Sequence, residues 1–293
     1  MGVQSHRQVR AALSFVLRPL LLAVLVTVAV RSFSSSPSAT QNARRSQPTQ
    51  ALVIASTSNL PEEATAWISQ VPADWAVYKY VADAPPGSLP LTVPVNKGNE
   101  AMVYLTYIVD HYDALPDVVF FHHAHRTSWH QALDSLSEVA ALRTSFVRRA
   151  GFASARCLPG CENLIPLADH AVAPERLPYV GRDVHLTTLL ASFLQPAVGK
   201  VTRVPGRIAA PCCAQFAASS EAIRARPRQW WVRLRQWLID TPLDSQTSGR
   251  LFEHTWHIWL GQEAEYCPGY DACRCHVFGM GSCQRYFEEE ETM

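Results

Sequence analysis

Two hydrophobic periods stand back to back between Ala101 and Phe121, and their junction constrains the fold more than any other stretch of the chain. Ala101, Tyr104, Leu105, Ile108 and Tyr112 recur at the spacing of one helical face. Ahead of them, Asn99 is a candidate N-cap, Gly98 permits a left-handed turn, and Glu100 suits the positive end of the helix. Leu115-Pro116 stops the helix, and Asp117-Val-Val-Phe-Phe121 follows as a short strand apolar on both faces. Upstream, Ala51–Ser56 reads as a buried strand, residues 61–72 as a short helix opened by Pro61, and the alternating WAVYKYVAD as a second strand. A strand–helix–strand unit brings its strands parallel, with the loops at their carboxyl ends converging on one crevice. The expected fold is α/β: a Rossmann-like mixed sheet flanked by helices, with cysteines confined to the C-terminal half.

The strand at Asp117–Phe121 delivers His122, His123, His125 and His130 to that crevice. His123 and His125 alternate and so share a face. With His130 from the following loop they form a three-imidazole set able to hold a divalent metal, Asp134 being the nearest candidate carboxylate. Two other roles compete: purely structural histidines, or hydrogen-bond donors to a substrate that stacks on Trp129.

The C-terminal half adds a second constellation. Cys212–Ser219 reads as a short strand or turn carrying Gln215 and delivering the chain to a helix capped by Ser219 or Ser220. Pro227 opens a helix whose Trp230, Trp231, Leu234, Trp237 and Leu238 form a core-facing stripe, while Arg224, Arg226, Arg228, Arg233 and Arg235 read as a solvated face. Ser248–Gly261 reads as one helix of about three turns, on which Glu253 and His257 sit a turn apart. They are either a general-base pair or a buried structural pair.

The ends define a layout. Residues 1–31 read as a cytoplasmic tail and signal anchor built on the apolar run Ala11–Val30, favoured over a cleaved signal that would leave a secreted protein. Basic residues flank both sides of the run, so charge does not fix its orientation. Residues 32–50 read as a disordered stem, 51–285 as a single luminal domain, and 286–293 as an acidic tail with Glu288–Glu291 disordered. A formal net charge of +1 gives no electrostatic argument for nucleic acid. Cys157, Cys161, Cys212, Cys213, Cys267, Cys273, Cys275 and Cys283 suit a disulfide framework in an oxidising lumen. In that framework Cys157 and Cys161 could close a small turn, and adjacent Cys212 and Cys213 are expected to reach different partners. Zinc held by the C-terminal cysteines with His276 is the competing reading.

Four ordered motifs carry a resemblance: NKGNEAMVYLTYIVDHYDALPDVVFFHHAHRTSWH, RCLPGC, CCAQFAASSEAIRARP and GRLFEHTWHIWLG. Together they resemble the fungal family filed as domain of unknown function 3431, from about Ala51 to Cys283. More distantly, the order of elements is similar to nucleotide-sugar glycosyltransferases of the glycosyltransferase-A-like fold, and the anchor, stem and luminal domain resemble the Golgi members of that group. The resemblance implies a type II single-pass protein of the Golgi or secretory-pathway lumen, with a nucleotide sugar and a glycan as partners and the membrane held through the N-terminal helix. It implies Glu253 as acceptor base supported by His257. Candidate substrate contacts are Asn96, Lys97, Glu100, His123, His125, Arg126, Trp129, His130 and Gln215. No D-x-D occurs in the chain. The cofactor is either a divalent metal on His123, His125 and His130 or none, with Lys97, Arg126 and the histidines meeting the diphosphate. The alternative function is a non-catalytic carbohydrate-binding domain using Trp129.

Overall fold

A computed structural model describes residues 49–167 and 180–291. The anchor and nearly all of the stem lie outside the described residues, among which no helix is long and apolar enough to cross a membrane. In chain order the strands are β1 (Gln50–Ser56), β2 (Trp75–Val81), β3 (Val118–His123), β4 (Phe152–Ser154), β5 (Ile165–Pro166), β6 (Arg207–Ile208) and β7 (Phe216–Ser219). The main sheet has the order β2-β1-β3-β7-β4, with β1 parallel to both β2 and β3 and β7 antiparallel to its two neighbours. β5 and β6 form a separate two-residue antiparallel pair. The expected α/β architecture with a mixed sheet is therefore present, and all eight cysteines fall in its C-terminal half.

Alternation along β3 sorts the core into two layers. Val119 and Phe121 face the helices Glu100–His111 and Arg228–Asp240, while Val118 and Phe120 face Trp67 and the helices Ser135–Ala141, Thr144–Ala150 and Tyr270–Phe278. The helix Glu100–His111 is buried from Ala101 to Val109 rather than along one stripe, because the sheet lies on one side and the helix Arg228–Asp240 on the other. Its entry is tight. Asn99 stands at the N-cap with φ +52° and makes no side-chain cap bond. A Cβ at Gly98 (φ +69°) would lie 2.7 Å from Leu238 Cδ1, and one at Gly249 would lie 2.6 Å from Asn99 Nδ2, so both glycines are required for this close approach.

Several expectations are corrected. β3 runs two residues further than its apolar composition suggested, because His122 and His123 continue the pairing with Ile54 and Ala55 of β1. Arg226 is not on a solvated face: it is fully buried, its Nε donates to Trp259 O at 2.9 Å, and its guanidinium lies 4.3 Å from the Trp230 ring centre. The stretch Ser248–Gly261 is two helices, Ser245–Glu253 and Trp256–Trp259, because the Thr255 hydroxyl takes Leu251 O at 2.8 Å and the backbone tightens at Thr255 N→Phe252 O. The acidic stretch expected to be disordered continues in the helix Gln284–Glu291.

The cysteines pair as Cys157–Cys273, Cys161–Cys267, Cys212–Cys213 and Cys275–Cys283, leaving no free thiol for zinc. Cys157 and Cys161 do not close on each other, and the adjacent pair does. Cys213 takes φ +81°, which turns the two neighbouring side chains together, Ala214 follows at φ +46°, and the turn is held from two sides. Glu162 accepts from Cys212 N at 3.2 Å and Glu253 from Cys213 N at 2.7 Å.

Candidate functional site

The carboxyl ends of β1, β2 and β3 open into a cleft of about 940 Å³, part of it open to solvent. Ser56 and Thr57 come from β1, Ala82 from β2, His123 and His125 from β3 and its exit, and Asn96, Asn99 and Glu100 from the turn into the helix Glu100–His111. Here the neighbour of β1 switches from β2 to β3, and such switch points are where open α/β sheets bind ligands.

The pleat divides the histidines. His122 points away from the cleft into the layer under Trp67, fully buried, with Nδ1 2.8 Å from His123 O and Nε2 2.8 Å from the Glu138 carboxylate. His123 points to the other face, where its Nε2 lies 3.9 Å from Glu100 Oε2. Beyond the strand the chain folds back, and ligand atoms of His123, His125 and His130 lie within 4.8 Å of one another. The expected three-imidazole set is therefore assembled, and these three residues could hold a metal. Asp134 does not join it, because its carboxylate caps the helix Ser135–Ala141 through Leu136 N and Ser137 N.

Electrostatics follow from this enclosure. Burial, helped by the neighbouring rings, holds His123 well below the usual imidazole range; burial also lowers His125, and brings His130 down to about 4. Burial pushes the Glu100 carboxyl up to about 8, and the nearby Glu253 charge adds to the shift.

Of the other expected contacts, Asn96 lines the cleft and Lys97 does not: its ammonium donates to Ile239 O at 3.1 Å and to Thr241 O, closing the end of the helix Arg228–Asp240. Arg126 is half exposed, 3.7 Å from Asp134. Trp129 is 82 % exposed beside His130, with the Arg156 guanidinium 5.1 Å from its ring centre. Gln215 lies behind the triad, its side-chain nitrogen 2.8 Å from His122 Nε2. Glu253 and His257 share a small separate cavity with Gln215, Trp256 and Cys212. Ser56, Thr57 and Ser245 were missed, although the first two follow from the rule that places ligands at the ends of parallel strands.

The sequence profile described as "Protein of unknown function (DUF3431)" matches residues 52–276. The chain belongs to this family. No curated protein and no solved structure matches it. In this DUF3431 member the match covers the whole main sheet except the first two residues of β1, and with it every group of the cleft.

His257 of the DUF3431 domain offers a test of its own. It is buried, its Nε2 meets Ala264 O at 3.0 Å, and burial lowers its pKa to about 4. The unfolded chain takes up the proton first, near pH 6.5, so stability is full above that value and falls as pH drops towards 4. The loss reaches about 3 kcal/mol for this residue at most. His257→Gln keeps a donor for Ala264 O and should flatten the decline in urea-unfolding free energy between pH 6.5 and 4; an identical decline in both proteins would refute the assignment.

Proposed function

We propose that this domain transfers a sugar from a nucleotide-sugar donor seated in the cleft over β1 and β3. The observation that carries the reading is the place of the cleft, at the carboxyl ends of three parallel strands where the strand order switches. Asn96, Asn99, Ser56 and Thr57 offer the donor amides and hydroxyls, and His123 and His125, which line the same cleft, are the residues we assign to the diphosphate. Glu100 takes the role of acceptor base: it lines the cleft, and a carboxyl raised to about 8 is matched to proton transfer near neutral pH. Glu253 becomes a supporting residue, since its Oε1 already receives Cys213 N. Four disulfides support an oxidising compartment, and we place the domain in the secretory-pathway lumen on the anchor at Ala11–Val30, with a secreted form as the alternative.

A second reading, a carbohydrate-binding domain without turnover, is favoured by one observation, the 82 % exposure of Trp129. Thermal unfolding of the full-length chain with nucleoside diphosphates and nucleotide sugars separates the two. A nucleotide at a hundred times its Kd should stabilise by about 2.7 kcal/mol, raising the midpoint by about 5–10 °C. Glu100→Gln should keep that shift while slowing transfer by about a hundred- to ten-thousandfold. Absence of any nucleotide shift in folded protein sinks the donor site. Glycan binding that disappears in Trp129→Ala, with no transfer in either protein, would put the binding domain in its place.

A further inference from the structure

We infer that His123, His125 and His130 form a binding site for a divalent ion of the Zn²⁺ class, with Glu100 flanking its open position. The inference does not depend on a sugar donor and would stand if the transferase reading fell. The three rings meet edge to face, with centroids 5.2, 5.6 and 5.7 Å apart, so they converge on a common point instead of stacking. The Nε2 atoms of His123 and His125 are buried and have no hydrogen-bond partner. Buried polar atoms of native proteins are rarely left so. A shared cation satisfies both.

The backbone beneath the rings is held in place by side chains around it. His123 O lies 2.8 Å from His122 Nδ1, His125 O accepts from Ser135 Oγ at 2.8 Å, and His130 O accepts from Arg156 at 2.8 Å. The main chain of each candidate ligand is thus tied by a side chain from outside the set, which places its Cα without itself orienting the ring. His122 and Arg156 are held in turn by Glu138 and Glu162. To bind, the nitrogens must close from within 4.8 Å to the separation of about 3.3 Å that Zn–N bonds near 2.05 Å impose on a tetrahedral site. Imidazole ligands select Zn²⁺ and its transition-metal neighbours, whereas Mg²⁺ and Ca²⁺ demand oxygen. Glu100 Oε2, 3.9 Å from His123 Nε2, lies where it can ligate the ion or take a proton from a water bound to it.

The test uses the full-length chain freed of metal with a chelator and then titrated with Zn²⁺, with Co²⁺ as an optical probe. One Zn²⁺ per chain is expected, together with visible ligand-field bands from bound Co²⁺. His125→Ala should weaken Zn²⁺ binding by at least about a hundredfold and abolish the Co²⁺ bands, while leaving the metal-free midpoint near that of the parent, because His125 lies beyond the end of β3. His130→Asn serves as a second ligand variant should His125→Ala fail to fold, and His185→Ala, on the helix Val180–Phe193, should bind Zn²⁺ as the parent does. Binding of no Zn²⁺, unchanged affinity in the folded ligand variants, or competition by Mg²⁺ or Ca²⁺ at equal concentration would overturn the site. Zn²⁺ binding without any nucleotide shift would retain the metal centre and remove only the donor.

Discussion

A chain carrying Cys157→Ala and Cys273→Ala is expected to unfold about 6–12 °C below the parent, the figure for a loss of about 3 kcal/mol in a domain of this size. The bond joins the segment after β4 to the helix Tyr270–Phe278 across a separation of 116 residues, but Cys161–Cys267, nested inside it, still spans 106 of them, so the unfolded chain regains only the freedom of about ten residues. Both cysteines are also buried in the layer that holds Trp67 and Phe120, so their removal loosens packing there as well. The Cys275–Cys283 bond spans 8 residues, and its removal should cost about 2.5 kcal/mol, nearly the same loop-closure loss. Denaturant unfolding of the two double variants side by side decides the matter. A first variant less stable than the second by more than about 3 kcal/mol would mean that Cys161–Cys267 does not hold the long loop closed, and the loop-entropy account would fall.

Arg226→Ala should cost about 4 kcal/mol, comparable to deleting a large core side chain. The guanidinium is the only charged group of the layer between Trp230 and Trp259 that is fully buried among the described residues, and its partners are carbonyls and rings: Trp259 O, Pro196 O at 3.4 Å, and the two indoles. Burial lowers its pKa to about 10, which leaves it charged at neutral pH. Truncation removes the donors of two carbonyls, the cation over the indoles and the volume between them at once. Arg226→Met restores most of the volume without the donors and should recover about half of the loss. An alanine variant within 1 kcal/mol of the parent would show that water reaches these carbonyls readily.

How far such features can be read from sequence depends on the distance over which they are made. β1, β2, the helix Glu100–His111 and the helix Arg228–Asp240 announce themselves because strand and helix periods are local, and Ser219 caps the helix Ser220–Arg224 as its position suggests. Cys212–Ser219 reads as a short strand or turn, but the insertion of β7 against β3 is not legible, since Phe121 and Phe216 meet only through the fold. The helices Ser135–Ala141, Thr144–Ala150 and Tyr270–Phe278 are short pieces covering the second layer, with too few turns for a period to stand out. The three-histidine set was legible because two members alternate and the third returns within one loop. Lys97 was misjudged because the carbonyls it caps are 142 and 144 residues away, and Arg226 because a run of arginines reads as surface whichever one turns inward. Cysteine spacing could not reveal which sulfurs meet, and the vicinal pair depends on a left-handed residue, Cys213, that is not a glycine.

The long disulfides also set an order of events during synthesis. Cys157 and Cys161 leave the ribosome before Cys267 and Cys273 have been added, 106 and 116 residues ahead of their partners. At about 5–20 residues per second, that lead lasts about 5–20 s. Within it, Cys157-Leu-Pro-Gly-Cys161 is free to bridge itself, and the native bonds then form by exchange through mixed disulfides once the C-terminal segment arrives. The N-terminal sheet strands can collapse early, but the native framework must wait for Cys267 and Cys273, and a nascent chain cut short before Cys267 would carry two thiols that no native partner can retire.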